Sequence, residues 1–412
     1  MTPRWFYGWS MVGAVFAVLF LIFGAAYSFS AVFPALATEF NASRGAVSLV
    51  FSIGAFLYFA IGIGAGPLAD RFGPRWVVGF GIAIVAVGLV IAALAEDLWQ
   101  VYAGYGLGIG IGVGFAYVPA VAALQRWFVR HRGFASGLAI TGIGLGTLVA
   151  PPAAAWLIEQ SGWRATYVAF AMLVAIIGLG AAWLLEPSPA ERGLHPDGDP
   201  APAVTAGAPD ASLSLREALR TRPFWLFYVA TVILSLGLFV PFVHLVPYAL
   251  DHGLSAKVGA LLVGTIGVGS TIGRFVIGAI ADRFGRLPVL VGCYASLGVM
   301  FLLWLSSANP IVLGIFGLGF GTFYGGFVAL APAVTADYFG VRALGGILGA
   351  LYSSVGIGTL IGPTLAGYAF DVYGSYTVPI VAGVITSFVG AALAFMMPAP
   401  EQWRANYFEN HR

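Results

Sequence analysis

The stretch GTIGVGSTIGRFVIGAIADRFGR (264–286) decides the fold of this chain. It is an apolar run that carries one arginine in its middle and ends in the charged motif ADRFG. Nearly the same motif, GPLADRFG (66–73), stands 212 residues before GAIADRFG (278–285). An apolar run of about 20 helical residues crosses the hydrocarbon core of a membrane. The stretch therefore predicts a membrane helix, and its recurrence predicts two related halves.

The composition of the whole chain is that of an integral membrane protein. Over 412 residues, 60% are hydrophobic and 9% are charged, whereas about 25% are charged in ordinary soluble domains. Twelve apolar runs are long enough for a crossing helix and lack the alternating pattern of membrane β-strands. The predicted spans are residues 9–36, 45–68, 75–95, 98–124, 133–157, 165–185, 224–250, 256–281, 287–306, 309–335, 344–370 and 376–397.

The internal repeat extends beyond the ADRFG motif. GLGTLVAP (144–151) and GIGTLIGP (356–363) are also 212 residues apart, as are Gly162 and Gly374. Each half holds six spans, an even number, so both halves begin on the same side and are related by an axis along the membrane normal. We predict an all-α membrane protein with twelve transmembrane helices in two parallel-related six-helix halves. The predicted domains are an N-terminal half (1–186), a cytoplasmic linker (187–222) and a C-terminal half (223–412).

The basic residues predict the orientation. With the N-terminus inside, fifteen of the 19 Lys and Arg residues face the cytoplasm, three face outward, and Arg274 stays within the membrane. This asymmetry follows the positive-inside rule and predicts cytoplasmic termini. The first part of the linker is rich in Pro, Gly and Ala and predicts a disordered tether, whereas SLREALR (214–220) predicts a short amphipathic helix on the membrane surface. The compact loops favour a bacterial inner membrane.

The paired ADRFG loops, the twelve spans and the central linker resemble the major facilitator superfamily over the whole chain. In that family the charged residues of these loops lie at the cytoplasmic interface between the halves, where they latch the outward-open state. A carboxylate beside a helix N-terminus gains favourable charge–dipole energy that is lost when the halves rotate. The alternative, that these charges only satisfy the positive-inside rule, stays open. The resemblance implies gating roles for Asp70, Arg71, Arg75, Asp282 and Arg283.

Two further motifs resemble a narrower group, the monocarboxylate transporter family and its bacterial relatives, which include oxalate/formate exchangers. FYGW (6–9) is similar to the opening of span one in that family, and WFVRHRGFASGLAITG (127–142) is similar to its span-five signature. The resemblance implies a secondary transporter in which an arginine of span eight binds the substrate carboxylate. It also implies that the protein works as a monomer.

Arg274 is the residue whose position demands an explanation. An arginine at the centre of a membrane helix costs at least about 2.5 kcal/mol, and eight residues of helix place Arg274 about 12 Å from Asp282 at the cytoplasmic end. No Asp or Glu lies deep within a predicted span, which disfavours a buried ion pair. A guanidinium matches a carboxylate with two parallel hydrogen bonds. We therefore predict that Arg274 binds an anion, and a single cation suits a monocarboxylate such as lactate or pyruvate.

A few other polar residues at mid-helix depth are candidates for the same site. The animal monocarboxylate transporters carry a lysine in span one and an aspartate four residues before the span-eight arginine, whereas here span one has no lysine and Ser270 holds the aspartate position. The proton carrier is therefore open between His244, whose imidazole titrates near neutral pH, and the substrate carboxylate. For the tyrosines, ordinary helix packing is an open alternative. The predicted substrate-binding residues besides Arg274 are His244, Ser270, Tyr117, Tyr324, Tyr352 and Ser353.

The sequence disfavours an enzyme. It contains no P-loop, no intramembrane cluster of metal ligands and no nucleophile–base pair, so we expect no cofactor and no metal. Topology explains the cytoplasmic arginines, so we expect no nucleic-acid partner. The predicted function is proton-coupled symport of a small monocarboxylate across a lipid bilayer. An anion exchanger of the oxalate/formate type is the alternative, and a membrane sensor on a transporter fold is a remote one.

Overall fold

The computed structural model describes residues 6–198, 212–340 and 343–409. Within these ranges the regular elements are helices. The helices of the first part are α1 (Tyr7–Glu39), α2 (Arg44–Phe72), α3 (Pro74–Ala93), α4 (Leu98–Trp127), α5 (132–161) and α6 (163–183). Those of the second part are α7 (Arg222–Asp251), α8 (Ala256–Phe284), α9 (Arg286–Ser306), α10 (Pro310–Phe339), α11 (Leu344–Tyr373), α12 (Thr377–Phe395) and the terminal α13 (Pro400–Glu409).

The predicted number of membrane crossings is confirmed. Eleven helical segments of the described ranges are long and apolar enough to span a bilayer. One of them, Phe134–Trp183, has 50 residues and would be about 75 Å long as a single helix, against a hydrocarbon core of about 30 Å. It is broken at Gly162, where φ is +80°, a value that glycine adopts at little cost. The segment therefore crosses twice, as α5 and α6, which makes twelve crossings.

The sequence repeat is also a repeat of structure. Helices α2 and α8 each have 29 residues. Each begins after a serine, Ser43 or Ser255, whose hydroxyl accepts a backbone N–H three residues later. Each ends at a glycine, Gly73 or Gly285, with φ of +86° or +91°. The two serines are 212 residues apart, and so are the two glycines. Equivalent caps and stops thus produce equivalent helices in the two parts of the chain.

We call α1–α6 the N-terminal half and α7–α12 the C-terminal half; the boundaries at 186 and 223 stay predictions. The halves meet where α2 packs on α11 and α5 packs on α8. A Cβ atom on Gly267 would lie 2.4 Å from the carbonyl oxygen of Gly144, so α5 and α8 cross with their backbones nearly touching. We call the end of the bundle that carries Asp70, Asp282 and the linker the linker end. The opposite end, with Arg44 and Asp251, is the distal end.

The beginning of the linker is folded against the N-terminal half. The carboxylate of Asp197 accepts hydrogen bonds from the backbone N–H groups of Val129, Arg130 and His131 at 2.9, 2.8 and 3.2 Å. Burial alone would raise the pKa of Asp197, but these bonds and the His131 side chain hold it below its ordinary value. The prediction of a disordered tether is therefore wrong for 187–198, and residues 199–211 lie outside the described residues.

The end of the linker packs on the C-terminal half. The predicted surface helix at 214–220 is a single turn, Leu215–Ala218, capped by mutual hydrogen bonds between Ser214 and Glu217. The backbone N–H of Leu213 donates to the carbonyl oxygen of Phe339 at 2.9 Å, and Ala218 is fully buried. The prediction of an amphipathic helix on the membrane surface is wrong, because this turn buries its apolar side against protein.

Candidate functional site

Arg274 lies on α8 at the interface between the halves. Its side chain is 9% exposed. Its Nη1 donates to the carbonyl oxygen of Ile140 on α5, at 3.1 Å. Its Nε and Nη2 atoms are buried and have no hydrogen-bond partner among the described residues. The site thus holds a buried cation with N–H donors that have no acceptor among the described residues. Burying such donors costs free energy unless a bound ligand accepts hydrogen bonds from them.

A cavity opens beside Arg274, and its walls come from both halves. Aromatic and aliphatic side chains predominate in the lining. Among the residues that the structure describes, no Asp or Glu lines the cavity. The lining residues are Phe23, Tyr27, Phe59, Tyr117, Ile143, Leu238, Phe239, Arg274, Tyr324, Phe327, Val328, Tyr352 and Val355. An apolar wall with a single cation favours an anion, since no carboxylate among the described lining residues competes for the guanidinium.

Tyr27 and Tyr324 join the two halves across this cavity. Their hydroxyl oxygens are 3.4 Å apart, and the ring of Tyr27 stacks on Phe242 of α7 with the ring centres 4.6 Å apart. A hydroxyl has one donor and two acceptor positions, so a bond between two hydroxyls leaves one donor for a further partner. Sequence reasoning missed Tyr27. The available signal was a tyrosine at the point where α1 breaks, next to Ser28.

The predicted site residues divide into two groups. Tyr117, Tyr324 and Tyr352 line the cavity with Arg274. Ser270, one turn before Arg274, is buried and its hydroxyl has no partner among the described residues, but it does not line the cavity. Ser353 does not line it either; its hydroxyl bonds to Tyr228 at 3.0 Å and to a backbone carbonyl. Both serines thus lie outside the cavity lining in this structure, and their binding roles stay predictions.

His244 is also displaced from the predicted place. It is fully buried, and its Nε2 lies 2.9 Å from the carbonyl oxygen of Pro363 and 3.2 Å from the hydroxyl of Ser48. A carbonyl only accepts, so Nε2 carries the hydrogen, and Nδ1 pairs with the hydroxyl of Tyr376 at 3.0 Å. These partners lie toward the distal end, outside the cavity. His244 therefore does not line the cavity with Arg274 in this structure, and its role in binding stays a prediction.

Two of the predicted gating residues are paired within their own half. The carboxylate of Asp70 accepts a hydrogen bond from Arg126 at the end of α4. The Nη2 atom of Arg75 lies 3.8 Å from Glu186. Both pairs belong to the N-terminal half, so neither joins the halves in this structure.

The other predicted gating residues lie at the linker end as well. The guanidinium groups of Arg71 and Arg283 lie over the rings of their neighbours Phe72 and Phe284, at 5.2 and 5.5 Å. Asp282 is exposed. Their equivalent surroundings follow from the repeat, and their gating roles stay predictions.

Comparison with known proteins identifies the family. Residues 15–322 and 234–410 match the family model described as Major Facilitator Superfamily. The chain belongs to this superfamily.

Similarity to individual proteins narrows the group. The chain is 32% identical to monocarboxylate transporter 11 of Mus musculus, over 96% of this chain and 88% of that protein. It is 31% identical to monocarboxylate transporter 13 of Bos taurus, over 95% and 89%. It is 28% identical to MFS-type transporter 1 of Ophiocordyceps sp. (strain BCC 1869), over 94% and 84%. The chain is therefore a monocarboxylate transporter-like member of the superfamily, a multi-pass membrane protein related to transporters rather than to enzymes.

Proposed function

We propose that this protein is a secondary active transporter of a small monocarboxylate of the lactate or pyruvate type, and that Arg274 holds the carboxylate. One observation carries the proposal. Among the described residues, a buried guanidinium with two unpaired donor atoms faces a cavity between the halves whose lining contains no carboxylate. The names of the mammalian relatives support the same substrate class.

The chemistry of the cavity suits one negative charge and a small apolar body. A carboxylate can accept two parallel hydrogen bonds from a guanidinium, and these are strong where water is excluded. Tyr117, Tyr324 and Tyr352 line the same cavity, and their hydroxyl groups could hydrogen-bond a carboxylate or a neighbouring oxygen of the substrate. A second carboxylate would lack a cation, so a monocarboxylate fits better than a dicarboxylate.

Alternating access supplies the transport step. The described ion pairs that join the halves lie at the distal end, whereas the described ion pairs at the linker end stay within one half. We assign the linker end to the cytoplasm, with both termini on that side, and this structure to a state closed toward the outside. Rocking of the halves would open the distal end and bring the charges of the two ADRFG loops together.

The remaining parts of the proposal concern the domain boundaries, the oligomeric state and the membrane in which the protein lies. We propose a division at residues 186 and 223, a monomer as the working unit, and a bacterial inner membrane. The relatives named above are eukaryotic, so the support for a bacterial membrane is the compactness of the loops.

The proposal is tested by uptake of labelled L-lactate and pyruvate into proteoliposomes with an acidic outside and a neutral lumen. We expect the labelled acid to accumulate inside above its equilibrium level, and we expect a protonophore to abolish this accumulation. Uptake that ignores the pH gradient but requires preloaded oxalate or formate would replace symport by exchange. No flux of any monocarboxylate in either format, by protein that remains folded, would overturn the proposal.

We propose that His244 carries the coupled proton. It contacts Ser48 of the other half, so its protonation acts on the contact between the halves rather than on the substrate. We expect His244→Gln, which keeps hydrogen-bonding atoms but cannot take up a proton, to flatten the rise of uptake with falling external pH. His252→Gln is the matched control, since His252 is a histidine at the same end whose Nδ1 donates to its own helix. An unchanged pH profile in His244→Gln would assign the proton to the substrate carboxylate.

A further inference from the structure

We propose that Glu159 and Asp371, two carboxylates related by the internal repeat, form a paired latch that holds the distal ends of the halves together and controls how often that end opens. The two residues are 212 positions apart. Each lies near the distal end of the fifth helix of its half and reaches the second helix of the other half. The inference concerns the conformational step and does not depend on the identity of the substrate.

Asp371 binds the first turn of α2 directly. Its Oδ1 and Oδ2 atoms accept the backbone N–H groups of Arg44 and Gly45, each at 2.9 Å. The first N–H groups of a helix have no acceptor within the helix, and a carboxylate there is further favoured by the helix dipole. Asp371 thus acts as a cap that one half of the protein supplies to a helix of the other half.

Helices α2 and α11 approach each other closely beside this cap. A Cβ atom on Gly367 would lie 2.6 Å from the carbonyl oxygen of Arg44, and one on Gly45 would lie 2.4 Å from the ring of Tyr368. Any separation of α11 from α2 at the distal end must therefore break both hydrogen bonds of Asp371.

Glu159 makes the equivalent connection in the other direction. Its Oε2 atom lies 2.6 Å from the Nζ atom of Lys257, which is in the first turn of α8. Lys257 is the repeat equivalent of Gly45, as Glu159 is of Asp371. Both connections therefore join equivalent positions of the fifth helix of one half and the second helix of the other. The Lys257 and Glu159 side chains are 49% and 44% exposed, and an exposed pair is the weaker of the two.

The Asp371 side of the latch has a further reinforcement. The guanidinium of Arg44 donates two hydrogen bonds to Asp251 of α7, at 2.6 and 2.7 Å, and a third to the hydroxyl of Tyr376 at 2.8 Å. It also lies 3.7 Å from the centre of the Phe370 ring. The latch is therefore asymmetric, and we expect Asp371 to contribute more to distal closure than Glu159.

Helices α2 and α8 are the two helices that end in the ADRFG motifs. Each consequently meets an acidic contact at its distal start and carries an aspartate at its linker end, Asp70 or Asp282. A rocking motion that breaks the distal contacts moves these same two helices at the linker end. The distal latch and the predicted gate at the linker end are therefore coupled through the same two helices, α2 and α8.

The test measures opening without using a substrate. Ser48 is fully buried and contacts His244 across the interface, so a cysteine there reacts with a maleimide in purified protein only when the halves part. The native Cys293 is first replaced by serine to remove the background thiol. In this protein, Ser48→Cys/Cys293→Ser, we expect Asp371→Asn to raise the labelling rate at least about tenfold, since it removes two charge-assisted hydrogen bonds. We expect Glu159→Gln to raise it less, and the double variant to exceed either.

Asp97→Asn is the matched control. Asp97 is an acidic cap at the distal end too, but it caps α4 of its own half, so its loss should leave the labelling rate unchanged. Equal labelling in Asp371→Asn and its parent protein, or an equal rise in Asp97→Asn, would overturn the latch. Thermal unfolding of each variant shows whether a rise in labelling comes from opening or from loss of the fold. Failure of the latch leaves the transport proposal standing, because lactate uptake tests that proposal separately.

Discussion

Arg274→Gln is expected to reduce uptake of a monocarboxylate at least about a hundredfold without destabilising the protein. Removing one partner of a buried, hydrogen-bonded charge pair costs about 3 to 5 kcal/mol, which corresponds to a factor of at least about a hundred in binding. In the substrate-free protein, Nε and Nη2 of Arg274 have no partner among the described residues, so the fold loses little when the charge is removed. The measurement combines initial uptake rates with thermal unfolding of the same preparations.

Arg274→Lys separates the charge from the shape of the guanidinium. Lysine keeps the cation but lacks the planar fork, so we expect partial uptake with a weakened apparent affinity. Arg220→Gln is the control for a lost positive charge, because Arg220 is exposed in the linker. Wild-type affinity in Arg274→Gln would place the anion elsewhere and remove the basis of the proposed site.

The second large effect is expected from Gly273→Ala. A Cβ atom at Gly273 would lie 1.9 Å from the carbonyl oxygen of Thr322 on α10, and one at Gly269 would lie 2.0 Å from that of Leu318. Both obstacles are backbone atoms, so α8 and α10 would have to move apart beside Arg274. We expect a loss of about 3 kcal/mol or more in the free energy of unfolding. The yield of monodisperse protein and the midpoint of thermal unfolding measure it.

Gly278→Ala on the same helix is the matched control. No described atom lies within 4 Å of a Cβ atom placed there, and alanine is the better helix former by about 1 kcal/mol. We expect unchanged or slightly higher stability for Gly278→Ala. If both variants unfolded at the same temperature, close backbone contact between α8 and α10 would not be what this part of the fold requires.

The helices and their repeat could be predicted from the sequence because the signals for them are local. The length and polarity of an apolar run determine whether it crosses a bilayer, and the predicted span 256–281 lies within the observed α8, Ala256–Phe284. The sequence also identified Arg274, since a cation at that depth demands a partner wherever its helix lies. The fold of the linker was predicted incorrectly, because its order depends on Asp197 reaching the loop at 129–131.

Helical spacing in the sequence identified part of the candidate site. It could not show which face of each neighbouring helix lines the cavity. Tyr117, Tyr324 and Tyr352 line the cavity with Arg274, whereas Ser270, Ser353 and His244 do not. A spacing of four residues fixes the direction of a side chain relative to its own helix only. Which face of a helix lines the cavity depends on how that helix is rotated about its own axis in the bundle.

By itself, the sequence determined the membrane class, the twelve spans, the two-fold repeat and the need for a partner at Arg274. Only the tertiary structure revealed that Tyr27 meets Tyr324 and that Asp371 caps α2, contacts between residues about 300 positions apart. The physical reason is that composition and periodicity act within one helix. A contact between halves depends on how two folded bodies pack, which no local pattern encodes.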